Sequence, residues 1–360
     1  MEKCDIDNNI VLSKTVERNG FIDVIKGICI LFVIFTHYTW TTMQWHRMLF
    51  PFWIDMAVPM FMIISGYVGA LSFERKGANL DNAYSFQSIF SKCLRFIVPF
   101  SFAYLIEFFA EMFYFKNHGF SSLIVSYFTG GFGPGSFYFP IMIQFVFLFP
   151  VIYFVIKKYE TKGLLIFFVT NMVYEILKSF YGMNETLYRL LLLRYLFLIS
   201  FGCFVYLNRE RKIKIIWGVI SLFIGIAFLI LVEYTSYKPM ILIYWTRTSF
   251  LGCLYLLPIA YFLLRLQVKR IIKPLALLGK ASFNIFLTQM VYYYYAASFI
   301  YGHIDNIILR NTINILICCI LGLVFYFIES PITKKIIQKI NKSDCLNTEK
   351  INNFFMKKTI

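Results

Sequence analysis

Charge is scarce in this chain. Asp, Glu, Lys and Arg make up 15% of its 360 residues, against 59% hydrophobic and 20% aromatic, a balance that excludes an ordinary soluble domain. Negative charge is the scarcer sign, with 19 acidic residues to 35 basic and a net charge of +16. Paired cysteines are missing. Five of the eight (Cys29, Cys203, Cys253, Cys318 and Cys319) fall in apolar runs, and Cys4, Cys93 and Cys345 fall in basic connecting segments, with no Cys-x-x-Cys. Disulfides are not expected, and the buried thiols read as small packing residues. The four histidines, 37, 46, 118 and 303, are too scattered to suggest a metal site. The first twenty residues are polar and carry no short apolar region with a small-residue cleavage site, so the first apolar run reads as a retained helix.

Long apolar runs are abundant. They occur near residues 21–43, 53–73, 94–115, 137–156, 163–180, 188–207, 213–233, 241–264, 275–298 and 307–328, which predicts an all-α polytopic membrane bundle of about ten transmembrane helices. Basic residues concentrate in every second connection. The intervening ones hold only Arg47, Lys116, Lys178 with Arg189, Lys238 and Arg310. The asymmetry is that of a membrane protein with both termini in the cytoplasm, and it accounts for the net charge without nucleic acid. The expected organisation is a cytoplasmic segment 1–20, an integral-membrane domain 21–333 and a basic cytoplasmic tail 334–360. Segment 74–93 is predicted to lie along the inner surface as an amphipathic helix, and Trp40, Trp45, Trp53 and Tyr292 to Tyr295 are expected at the outer interface.

Ionisable residues inside such helices mark a pathway or a reaction site. Lys26 and His37 are eleven residues apart in the first run, and Asp23 precedes Lys26 by three. On a helix the first two share a face within roughly 20°, about 16 Å apart along the axis, and Asp23 falls some 40° away. One wall is polar. Lys92 and Arg95, i and i+3 at the start of the third run, could clamp an anion from the cytoplasm. Glu107 and Glu111 share a face in the outer half, where Glu175, Arg189, Arg194 and Arg247 are expected to pair with them around an external cavity. Ser136, Tyr138 and Gln144 add neutral donors and acceptors at the mouth of the fourth predicted helix. The segment Gly130-Gly-Phe-Gly-Pro-Gly135 is too broken for helix and can line an opening. Glu329, two residues before Pro331, is expected to end the last helix by capping it or pairing with a base.

These segments resemble the integral-membrane acyltransferase-3 family. The resemblance spans most of the chain and is carried by Asp23-Val-Ile-Lys26-Gly27 through Thr36-His37, Val58-Pro-Met-Phe-Met-Ile-Ile-Ser65-Gly66-Tyr67, Arg95-Phe-Ile-Val-Pro99, Leu278-Gly-Lys-Ala-Ser-Phe-Asn-Ile-Phe-Leu-Thr-Gln289 and Glu329-Ser-Pro331. Lys26 stands where the family usually has arginine, losing the planar fork. Gln289 stands where many members have histidine, which limits that position to hydrogen bonding.

The resemblance implies acyl transfer, usually of acetyl from acetyl-CoA, to extracytoplasmic sugars. A hydroxyl acceptor then needs a base, a held thioester and stabilisation of an oxyanion. The expected catalytic residues are His37, Lys26 and Asp23, with His37 as base. Lys26, Lys92 and Arg95 are expected to bind the acyl-CoA, and Glu107, Tyr138, Gln144 and Gln289 the glycan or other envelope acceptor. Ser65, Tyr67 and Gln289 are candidate oxyanion donors. No metal is expected, and the expected setting is a bacterial inner or plasma membrane, in contact with lipid. A glycan exporter or proton-coupled carrier is the competing class, with Lys26, His37 and Glu107 as a relay. A membrane sensor or scaffold is the third.

Overall fold

The computed structural model describes residues 20–38, 40–235, 245–266, 268 and 270–356, with side chains as far as 341. The amino-terminal segment before Gly20, with Cys4, lies outside the described residues, as do Lys238, the side chain of Cys345 and the end of the basic tail. The described chain is a helical bundle without strands. Its helices are α1 (Gly20–Thr36), α2 (Thr42–Arg47), α3 (Ala57–Arg75), α4 (Leu80–Tyr84), α5 (Phe86–Phe109), α6 (Phe120–Thr129), α7 (Tyr138–Tyr181), α8 (Glu185–Leu190), α9 (Leu196–Leu207), α10 (Ile215–Tyr234), α11 (Leu256–Arg265), α12 (Lys273–Lys280), α13 (Ser282–Tyr295), α14 (Ala297–His303) and α15 (Ile307–Met356). Among the described residues, five stretches are long and apolar enough to cross a membrane: Phe50–Arg75, Phe86–Phe115, Tyr138–Tyr181, Ile215–Tyr234 and Ile307–Asn341. Shorter apolar helical stretches are Phe120–Thr129, Leu192–Leu207 and Leu256–Arg265, the first largely exposed and the second largely buried. The protein is therefore a helical membrane bundle.

The α7 stretch holds two helices. Glu160 breaks it with φ 45° and ψ −117°, and a Cβ on Gly163 would stand 2.8 Å from the Val155 carbonyl oxygen. Residues eight apart on a straight helix are about 12 Å distant, so the chain doubles back at Glu160. The two apolar runs of the sequence, 137–156 and 163–180, are the two arms.

Glycine lets the central helices touch backbone to backbone. A Cβ on Gly66 of α3 would stand 1.9 Å from the Ile199 carbonyl oxygen of α9, and one on Gly202 of α9 would stand 1.8 Å from that of Ile63. Gly27 of α1 and Gly279 of α12 form a second reciprocal crossing, with corresponding distances of 2.1 Å to Leu275 and 1.7 Å to Asp23. In lipid, where tails are as apolar as leucine, association rests on this kind of close packing. Helix α1, joined to α12 by the second crossing, also packs against α3, α13 and α15.

Several expectations are revised. Helix α1 stops at Thr36, and His37 sits in the turn beyond it, its N–H on the Ile34 carbonyl at 3.3 Å. The 74–93 connection forms the short α4 and then the first turns of α5, with Tyr84 donating to the Phe147 carbonyl at 3.0 Å. Tyr292 and Tyr293 turn inward, donating to Asn314 Oδ1 at 2.5 Å and the Ile34 carbonyl at 3.0 Å; Trp45 is buried as well. Pro331 does not end the last helix, because α15 continues through it. Glu329 is buried against α13, accepting from Asn284 Nδ2 at 2.8 Å and from Thr333.

Candidate active site

The glycine-rich link between α6 and α7 lies over His37. Gly130, Gly131 and Gly135 have φ of 99°, 97° and 88°, a region that disfavours side chains, and this lets the link fold tightly into the bundle. Its points of contact come from two helices, α5 and α13, and from the turn after α1. The Phe132 N–H donates to Glu107 Oε2 at 3.2 Å, a Cβ on Gly133 would stand 2.6 Å from the Met290 carbonyl oxygen, and one on Gly135 would stand 3.0 Å from the Phe286 ring and 3.7 Å from His37 Nε2.

His37 is partly buried, and its ring nitrogens have no hydrogen-bond partner among the described residues. The Tyr293 ring is edge-on to it with centroids 6.1 Å apart. Phe286, Gln289 and Tyr293 follow at i, i+3 and i+7 on α13, so Gln289 shares the face that meets His37. Its side chain is fully buried, and neither amide atom has a partner. An unpartnered buried amide normally costs about 1–3 kcal/mol, and such sites in native proteins call for an explanation. Glu107 is of the same kind: its Oε2 holds the glycine link while Oε1 has no partner. Tyr138 packs on Phe286 with ring centroids 4.9 Å apart.

Beyond the glycine link the surface opens into a cavity of about 380 Å³, bounded by Gly131, Gly133, Pro134, Gly135 and Ser136 on one side and by Glu185, Thr186, Arg189 and Leu190 on the other. Glu185 accepts from Lys178 Nζ at 3.0 Å and Arg189 Nε at 2.9 Å. Burial opposes its charge, but these two hydrogen bonds hold the carboxyl below its usual range. A second cavity of about 400 Å³ lies at the opposite end of the bundle, among Glu74, Lys157, Glu160, Arg209 and Arg211.

The other expected residues are dispersed. Asp23 is buried and Lys26 half-buried toward the other end of α1, each engaged with a neighbour. Lys92 lies with its ammonium 4.5 Å from the centroid of the Phe73 ring, and Arg95 is exposed. Both are on α5, which packs on α13 and α15. The Gln144 amide is occupied: its Nε2 donates to the Leu190 carbonyl at 2.7 Å and its Oε1 accepts from the Leu192 N–H at 2.9 Å. It pins the junction between the end of α8 and the 3-10 turn Leu192–Tyr195. Ser65 donates to the Phe61 carbonyl at 2.8 Å, and Tyr67 packs on Tyr206 with centroids 5.2 Å apart.

The outer charges do not form one mutual array. Glu111, inside a π-helical turn (Ala110–Phe115), binds His118 at 3.1 Å and Tyr295 at 3.1 Å. Glu175 accepts from Tyr188 at 2.7 Å and the Phe250 N–H at 3.2 Å, while Arg194 donates to Thr248. Arg247 joins Asp55 at 2.5 Å and Glu233 at 3.4 Å, and Glu233 also meets His46 at 3.2 Å. Asp55 and Glu233 carry no signal in the sequence because their partners are distant along the chain. Glu185 does carry one, the i,i+4 spacing to Arg189.

Among the described residues no cluster of His, Cys, Asp and Glu has the form of a metal site. No curated protein and no solved structure matches the chain significantly. A family described as an acyltransferase domain matches residues 19–328, a span that includes α1, the glycine link and α13. The chain thus belongs to the acyltransferase-3 family of membrane acyltransferases.

Proposed function

We propose that the protein moves an acyl group, most simply acetyl, from cytoplasmic acyl-CoA to a hydroxyl of an extracytoplasmic glycan or related envelope molecule. The observation that carries this reading is His37: an imidazole without a hydrogen-bond partner among the described residues, under a glycine link whose other side borders an open cavity. With ten spans and both termini in the cytoplasm, as the basic connections imply, that cavity faces outward and the Lys157 and Arg209 end faces inward. The setting would be a bacterial inner or plasma membrane.

In this reading His37 takes the proton of the acceptor hydroxyl as its oxygen attacks the thioester carbon. A C–O bond forms, the C–S bond breaks, and the proton passes to the departing CoA thiolate. Gln289 offers an unpartnered N–H to the developing oxyanion. Lys26, oriented by Asp23, and Lys92 with Arg95 hold the anionic part of the donor nearer the cytoplasm. Glu107 and Tyr138 shape the acceptor side, with Glu107 acting through the glycine link.

Purified protein in nanodiscs with radiolabelled acetyl-CoA and a glycan acceptor tests this. Label transfer lost in His37→Ala supports the enzyme, whereas donor-independent glycan or proton flux in wild type would replace it with transport. Lys26→Ala is expected to weaken donor binding chiefly, and Lys26→Arg to retain activity; unchanged donor affinity in Lys26→Ala would remove Lys26 from that role.

A further inference from the structure

The cavity beyond the glycine link has a composition that selects its ligand. It is lined by three glycines, by apolar Pro134, Phe137 and Leu190, by Thr129 with its hydroxyl on the Val125 carbonyl, by the charged pair Glu185 and Arg189, and by the hydroxyl-bearing Ser136 and Thr186. Neither hydroxyl makes a side-chain hydrogen bond to any described residue, so both are available to a hydroxylated ligand. At about 380 Å³ the space is at the small end of ligand sites.

Lys178 and Arg189 both converge on the carboxylate of Glu185. Lys178 is buried, its ammonium 3.6 Å from the centroid of the Tyr188 ring, which keeps it behind the wall. Arg189 is exposed, lines the cavity and uses Nε on Glu185, and the two terminal nitrogens of its guanidinium are unbonded to any described residue. A planar fork with free N–H groups is suited to a carboxylate or phosphate. Gln144 fixes this geometry by holding the backbone at Leu190 and Leu192, next to Arg189.

We infer that this cavity binds a saccharide bearing an anionic substituent, a carboxylate or a phosphate, with Arg189 on the anion and Ser136 and Thr186 on hydroxyls. The inference rests on the acyl-transfer reading for its role as acceptor site, but the binding itself requires no donor. It is tested with the full chain in nanodiscs of neutral lipid, measuring binding of a trigalacturonate, a phosphodiester-linked oligosaccharide and neutral maltotriose. Both anionic probes, or one of them, should bind at least about tenfold more tightly than maltotriose, with the preference eroded by salt; the stronger of the two identifies the anion. Arg189→Gln should bring the anionic probes to the neutral level, and Arg189→Lys should keep part of the preference.

Equal binding of all three saccharides overturns the inference, as does a folded Arg189→Gln variant that retains the preference. Displacement of the saccharides by phosphatidylglycerol nanodiscs would assign the anion to a lipid headgroup and overturn the saccharide. The two readings fail separately. Selective binding without label transfer leaves the cavity standing and removes acyl transfer, whereas equal transfer to neutral and anionic acceptors does the reverse.

Discussion

Substituting Gly135 with alanine adds one methyl group between the open cavity and the imidazole. At φ 88° an L-residue costs about 1–2 kcal/mol relative to glycine. The new Cβ would lie 3.0 Å from the Phe286 ring, so that ring must yield by a few tenths of an ångström, and 3.7 Å from His37 Nε2, in van der Waals contact. The total destabilisation should be roughly 1–3 kcal/mol, seen as a modest fall in melting temperature in detergent. The effect on turnover should be much larger. A hydroxyl must approach the base to about 2.6–3.2 Å, and a methyl touching the same nitrogen from the cavity side occupies that approach. A displacement near 1 Å at a reacting pair can cost about 10²-fold, so acetyl transfer should fall at least that far while donor binding is kept. Gly119→Ala is the control, because a Cβ there meets nothing within 4 Å. Wild-type transfer by a folded Gly135→Ala variant would show that the acceptor does not reach His37 past the glycine link.

Gly202→Val should be among the most damaging interior changes, since its Cβ would stand 1.8 Å from the Ile63 carbonyl oxygen and α3 and α9 would have to part by more than 1 Å; about 3 kcal/mol or more is expected, read as loss of folded protein by size exclusion, with no comparable loss in Gly302→Val. Gly66→Ala and Gly202→Ala combined should cost less than their sum, because the first already separates the helices; additive melting shifts would contradict the shared crossing. Gln144→Ala leaves the Leu190 carbonyl and Leu192 N–H without partners, at roughly 2–4 kcal/mol in total. It should raise the acceptor KM more than it lowers kcat, and steady-state kinetics showing the opposite would place Gln144 on the reaction itself.

Local chemistry in the sequence was enough for the class of this fold. Apolar runs too long and too uncharged for water can only be helices in lipid, because every peptide group must be satisfied within its own segment. The cost of an ionisable group in hydrocarbon made His37 a candidate for a related reason, but its expected helical register with Lys26 does not hold, because α1 ends at Thr36 and His37 lies in the turn beyond it. The broken glycine segment was legible as an opening but not as the cover of His37, since nothing in Gly130 to Gly135 specifies what it packs against. Partnership was the least legible property. Gln144 and Gln289 are both glutamines in apolar helices, yet one is consumed by the backbone at Leu190 and Leu192 and the other is buried with no partner. Glu107, Glu175 and Arg247 stand at similar depth, yet each went to a different neighbour. Depth along a helix follows from counting residues, but which side chain stands opposite depends on how helices cross, and here reciprocal glycine contacts between segments more than a hundred residues apart set two central crossings.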